Sequence, residues 1–279
     1  MEKALVALSF DDGRLDNIRV AKEILLPRNI SATFNITTGY VDGTCPKILL
    51  KTEQDAMSID DVCWLNKKSA FEIAMHGDRH QNTEEDISVG REKLIDWLGL
   101  PSDYQFGFAS PSSGLEVSVI KQSKSELFNK QISYFRLGQR LGRGIKKVAL
   151  LNRIDQKLKI GRFYNFYQPK AFSIENEDSL MCKTDNRVLY SVIVYRHTTC
   201  EELFRLIDKC IRKKLAVVFM FHSILDNAEE VTTYNHDNDL LYLWNTSRFV
   251  QLCDYISKKR DNGLLEIVTT GEMYQLLKR

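Results

Sequence analysis

Short apolar runs alternate along the chain with stretches whose apolar residues recur at helical spacing, which predicts a βα-repeating α/β fold with a mainly parallel sheet. The runs that read as strands are Ala4 to Phe10, Ala32 to Ile36, Glu72 to Met75, Phe106 to Phe108, Tyr134 to Leu137, Val188 to Tyr195, Ala216 to Phe221 and Leu265 to Val268. Several intervening helices have legible ends. Ile18, Ala21, Leu25 and Leu26 make one helix face that must stop near Pro27, because proline lacks an amide N–H and restricts the residue before it. Thr199 with Glu202, and Thr269 with Glu272, have the spacing of a capping box. Leu94, Ile95 and Leu98 precede Gly99, a natural C-terminal stop. From 138 to 186 the pattern is least regular, which predicts an insertion or lid within a single domain spanning 1–279.

Composition narrows the partners. Lys and Arg total 39 against 37 Asp and Glu, dispersed rather than in blocks, so neither a nucleic acid nor an anionic membrane surface is expected. The six cysteines contain no C-x-x-C pair, which argues against a zinc ribbon or redox motif and for reduced, packed thiols. The apolar run Ala4 to Phe10 is too short for a signal-peptide core, and no stretch approaches membrane-spanning length. The expected location is cytoplasmic.

Polar residues able to do chemistry cluster just after the predicted strands. Asp11 and Asp12 follow the first, His76 the third, Pro111 with its Ser and Gly neighbours the fourth, and His222 the run Val217 to Phe221. In parallel α/β folds the C-terminal strand ends open on one face, so these groups would converge. Each has a plainer alternative. Asp12-Gly13 is also a tight-turn dipeptide, but two adjacent carboxylates ending a buried strand resist joint ionisation unless a cation or proton offsets them. His76 and His80, four apart, can reach one ion, although the spacing alone is weak. Two imidazoles and a carboxylate leave coordination positions open and suit Zn²⁺ or a related transition ion better than Mg²⁺. A lone buried histidine is usually a packed one; at a strand end facing a metal, His222 becomes a candidate general acid.

With these residues in place, the chain resembles the polysaccharide deacetylases of the NodB-homology type, carbohydrate esterase family four. Ser9-Phe10-Asp11-Asp12-Gly13 is similar to the family's first motif, His76 to His80 to its H-x-x-x-H motif, and Phe221-His222-Ser223 to its last. Ser31-Ala32-Thr33-Phe34-Asn35 and Glu266-Ile267-Val268-Thr269 extend the likeness beyond the site. The resemblance implies a distorted (β/α) barrel of about seven repeats and one divalent ion, Zn²⁺ first, with Co, Mn or Ni as alternatives. It further implies that Asp12, His76 and His80 hold the ion, Asp11 is the base that activates water, and His222 protonates the leaving amine.

The third motif departs from the family's R-x-P-Y: here it reads Ala109-Ser110-Pro111-Ser112. Pro111 and the Ser112 amide remain candidates for the oxyanion position. Ala109 cannot replace the arginine that supports the base, and Arg136 and Arg196, near predicted strand ends, are candidate substitutes. Tyr234, Tyr242 and Trp244, after His222, could form an aromatic sugar platform, although core packing is the more frequent fate of aromatics. The implied activity is removal of an acetyl group, N-acetyl of a hexosamine in a saccharide ahead of an O-acetyl ester. The alternative is a catalytically silent metal- and sugar-binding relative lacking the arginine.

Overall fold

The computed structural model describes residues 1–45, 56–138, 179–184, 186–228 and 241–278. Most of the stretch expected to be an insertion, 138–186, lies outside the described residues, as does Tyr234.

Seven parallel strands close into a barrel in chain order: β1 (Ala4–Phe10), β2 (Ala32–Ile36), β3 (Phe71–Met75), β4 (Phe106–Ala109), β5 (Ile132–Leu137), β6 (Val188–Ile193) and β7 (Ala216–Phe221). Closure comes from β1 and β7, paired from Leu5↔Ala216 to Phe10↔Phe221. A short parallel pair, β8 (Ser223–Leu225) and β9 (Leu243–Asn245), follows His222 and had no signal in the sequence. The last strand, β10 (Leu265–Ile267), pairs with Ala4 to Val6, whereas β2 pairs with Leu8 to Phe10. One edge of β1 is thus shared, and β10 is wedged in at the N-terminal end of the barrel.

Side-chain parity divides each strand between two cores. On β1, Ala4, Val6, Leu8 and Phe10 pack outward against the helices, while Leu5 and Ala7 face inward with Tyr134, Leu189, Ala216 and Val218. The C-terminal helix Thr270–Leu277 plugs the barrel floor with Met273, Tyr274 and Leu277. Glu72 meets that helix from within, accepting from Gly271 N–H (2.8 Å), Thr33 Oγ1 (2.8 Å) and Tyr134 OH (3.0 Å). Continuing the same parity, Ser9 on β1, Asp11 just beyond it, Arg136 on β5 and His222 beyond β7 all point inward at the other end.

Element ends follow the predicted chemistry. Thr199 with Glu202 and Thr269 with Glu272 form complete capping boxes, and Ser58 with Asp61 forms a third. Gly99 ends the helix Glu84–Leu98 at φ 61°, with Leu100 N–H closing onto Ile95 O. Around Pro27 the outcome differs: the helix from Asp16 passes through a π-helical stretch to Leu25, Pro27 lies in a final 3₁₀ turn, and Asn29 stops it in the left-handed region. A tightened last turn accommodates the missing N–H. β6 ends at Ile193 because Tyr195 N–H turns to Thr198 Oγ1. All six cysteines are free, and burial pushes the Cys210 thiol up to about 12. Among the described residues, no helix is long and apolar enough to cross a membrane.

Candidate functional site

The mouth of the barrel gathers the two aspartates, the two histidines and His222. β1 runs into Asp11 and Asp12, and Asp12 turns the chain at φ 77°, followed by Gly13 at φ 72°. A left-handed aspartate is uncommon and concentrates at functional turns. His76 extends β3, and its Nδ1 lies 2.8 Å from the Ala109 carbonyl. A carbonyl only accepts, so Nδ1 carries the proton and Nε2 keeps its lone pair. That Nε2 is 3.6 Å from Asp12 Oδ1, and His80 Nε2 is 3.5 Å from the same oxygen. One ligand atom from each residue lies within 4.8 Å of the others.

These distances exceed those of hydrogen bonds. They match the separation of two ligands, about 3.5 Å, around a tetrahedral ion with bonds near 2.1 Å. Asp12 Oδ2 is engaged by Arg14 through Nε (3.1 Å) and Nη2 (2.6 Å), whereas Oδ1 is buried without a hydrogen-bond partner among the described residues. An orphaned buried carboxylate oxygen facing two imidazoles fits a divalent cation.

The histidine loop is held from behind. Asp86, in the helix after it, accepts from Asp78 N–H (3.0 Å), Arg79 N–H (2.7 Å) and Gln81 N–H (3.0 Å). Gly77 sits at φ 78°, and a Cβ there would collide with Asp86 Oδ2, so the carboxylate and the glycine are matched. His80 itself adopts φ 59°. Asp86 escaped the sequence reading; its signal was the Thr83-x-x-Asp86 spacing, with the Thr83 hydroxyl accepting from Asp86 N–H. Asp86→Ala is expected to lower metal affinity about 10–100-fold, the range for groups that orient metal ligands. A metal titration showing unchanged affinity would mean the loop is held otherwise.

Asp11 is 2% exposed and Arg136 1%. Arg136 Nη2 lies 2.6 Å from Oδ1 and 2.7 Å from Oδ2 of Asp11, and Asn35 Nδ2 donates to Oδ1 at 2.8 Å. Ala109 and Arg136 are partners in the β4–β5 ladder. The guanidinium is therefore supplied by the neighbouring strand at the same level of the barrel. Arg196 instead sits half-exposed in the turn after β6, its amide bonded to Leu241 O.

Electrostatics follow from this pairing. Burial pushes the Asp11 carboxyl up, but the Arg136 guanidinium, first among the charges that oppose it, holds the group below its ordinary value. Asp12 falls well below, with Arg14 the largest of the opposing influences on burial. His222 goes the other way: burial, opposed by Asp12 and Asp11, lowers it to about 4. Its ring leans on Tyr242 (centroids 4.5 Å apart), its carbonyl accepts from Asn17 Nδ2 (2.9 Å), and Nδ1 is buried without a partner among the described residues.

The Ser110–Gly114 turn borders the histidine loop through Asn82, which accepts from Ser110 Oγ (2.8 Å) and donates to Pro111 O (2.9 Å). Ser112 and Ser113 hold φ of 50° and 53°. The turn closes through the N–H groups of Ser113 and Gly114 rather than that of Ser112. Of the aromatics expected to form a platform, Tyr242 stands between His222 and Tyr195. Trp244 does not take part: it is buried among Phe221 and Phe249, its Nε1–H bonded to Thr198 O.

No family profile and no curated protein sequence matches the chain. Solved structures do. A candidate polysaccharide deacetylase from Mycobacterium smegmatis superposes with a TM-score of 0.55 and 12% identity, covering 100% of this chain and 91% of that one. A family 4 acetyl xylan esterase from Clostridium thermocellum, solved with a cobalt ion, gives 0.47 and 14% over 98% and 91%. IcaB from Ammonifex degensii gives 0.36 and 22% over 46% of this chain and 57% of that one, so the chain spans little more than half of that protein's length. The closed seven-stranded parallel barrel of this chain is the (β/α) barrel fold of the NodB-type polysaccharide deacetylases.

Proposed function

We propose that the chain is a metal-dependent hydrolase that removes an acetyl group from a saccharide, with the N-acetyl amide of a hexosamine as the favoured bond and an O-acetyl ester as the second. The observation that carries this reading is the orphaned Asp12 Oδ1 facing His76 Nε2 and His80 Nε2, beside a separately paired Asp11. A divalent ion held there, Zn²⁺ first and Co, Mn or Ni as alternatives, would polarise the acetyl carbonyl and lower the pKa of a water.

Asp11 is ionised at neutral pH and serves as base. Arg136 and Asn35 fix it, and Oδ2, 3.9 Å from His76 Nε2, keeps a lone pair toward the metal position. His222, neutral in the resting site, takes up a proton during the cycle and delivers it to the leaving nitrogen. Ser112 N–H, with Pro111 shaping its turn, donates to the developing oxyanion. Tyr242, packed between His222 and Tyr195, would supply a face for a sugar ring beside the acid. The pairing of Arg136 with Asp11, at the level of Ala109, supports an active enzyme over a catalytically silent metal- and sugar-binding relative.

The test is acetate release from a panel of N- and O-acetylated saccharides by metal-reconstituted protein. Asp11→Asn should retain the metal and lose about 10²–10⁴-fold in turnover, the usual contribution of a general base. Unchanged turnover would remove Asp11 from the reaction.

A further inference from the structure

Arg14 follows the Asp11-Asp12-Gly13 turn and is as buried as the residues it serves, with 3% of its side chain exposed. Nε and Nη2 both reach Asp12 Oδ2, and Nη1 donates to Ser223 Oγ at 3.0 Å. Ser223 Oγ in turn donates to Asp16 Oδ1 (3.1 Å), and Asp16 Oδ2 accepts from Ile224 N–H (2.7 Å) and Asn17 Nδ2 (2.9 Å). Asn17 also holds the His222 carbonyl. One continuous set of bonds therefore joins the Asp12 carboxylate to the segment that carries His222.

We propose that Arg14 is a positioning residue for the metal centre: it occupies one oxygen of Asp12, restricts that carboxylate to single-oxygen ligation, and weakens it as a donor. The inference rests on the metal-centre reading above. A carboxylate with both oxygens free can take two coordination positions, and three protein ligands would then crowd out water or substrate. Two guanidinium N–H groups engage Oδ2 and leave Oδ1 alone to face the imidazoles. With Arg136 on Asp11 and Arg14 on Asp12, each of these two carboxylates is balanced by a guanidinium before a cation enters. Arg14 gives up some affinity for the ion in return for open positions around it.

The proposal makes a prediction opposite in sign to that of a merely structural arginine. Groups bonded to metal ligands alter affinity by about 10–100-fold. Here loss of the like charge and release of Oδ2 set the direction, so Arg14→Met should bind Co²⁺ about tenfold more tightly. Its visible Co²⁺ absorption should weaken, because a higher coordination number accompanies a two-oxygen Asp12. Metal-free Arg14→Met should unfold at lower temperature than wild type, and Co²⁺ should restore more stability to it. Arg14→Lys keeps the charge without the fork, so its Co²⁺ affinity should stay within a few-fold of wild type while the absorption weakens. Unchanged or weaker Co²⁺ binding by Arg14→Met would overturn the proposal. If that variant does not fold, a wild-type absorption in Arg14→Lys would overturn it instead. Wild-type protein that binds no Co²⁺ at all would remove the metal-centre reading itself.

Discussion

Arg136→Met is expected to destabilise the protein by about 3–5 kcal/mol, the cost of leaving one member of a buried ion pair alone. Asp11 is almost wholly inaccessible, and its remaining partner, Asn35, is uncharged. Methionine matches much of the arginine's length and would lie beside Met220, which already contacts Arg136, so lost packing contributes little. Against a typical domain stability of about 5–15 kcal/mol, the change should be obvious in urea unfolding. The pH dependence should also invert. In the wild type the Asp11 carboxyl is depressed, so its contribution is present above the unfolded-state value and is lost as pH falls through the folded-state value. Without Arg136, burial dominates and raises the carboxyl, so stability should decline as pH rises through the raised value. Adding Asp11→Asn should recover most of the loss. A single-variant cost below about 1 kcal/mol, the range of exposed pairs, would show that the pair is solvated and that Asp11 is positioned by something else.

Asp12→Asn should lower metal affinity by at least about 100-fold, a larger effect than loss of an orienting group. The substitution keeps shape but removes the charge on Asp12 Oδ1, which faces both imidazoles and has no hydrogen-bond partner among the described residues. It also removes the Asp12 charge that now opposes Arg14 beside the metal position, so the guanidinium repels the ion more strongly. Titration with Zn²⁺ or Co²⁺ reads this directly. Stoichiometric binding at wild-type affinity would show that the anionic ligand is not Asp12.

How far the sequence reached can be judged from particular residues. β1, β2 and β7 are bounded as their apolar runs predicted, and the capping boxes at Thr199 and Thr269 formed because their bonds are local. The Asp12, His76 and His80 grouping was also legible, since each residue ends a strand or follows one closely. Arg136 was named only as one of two substitutes. Choosing it over Arg196 needs the β4–β5 register, which sets Arg136 opposite Ala109 and which no local pattern encodes. Arg14 and Asp86 were missed for a related reason: a charged residue beside a turn or in a helix's first turn ordinarily faces water, and only tertiary placement turns these inward. For Trp244 the sequence leaves platform and core packing open, because an aromatic after a site residue looks the same whether it lines a groove or packs on Phe221, as it does here. The wedge of β10 depends on β1 sharing one edge between two strands, again a tertiary fact.

Anomalous scattering from crystals of the protein loaded with Zn²⁺ or Co²⁺ will show whether Asp12, His76 and His80 form one metal centre. A single strong peak is expected about 2.0–2.2 Å from Asp12 Oδ1, His76 Nε2 and His80 Nε2, with Asp12 Oδ2 still held by Arg14. No peak at that position in fully loaded crystals, or an ion bound elsewhere with these three side chains unligated, would rule out such a centre.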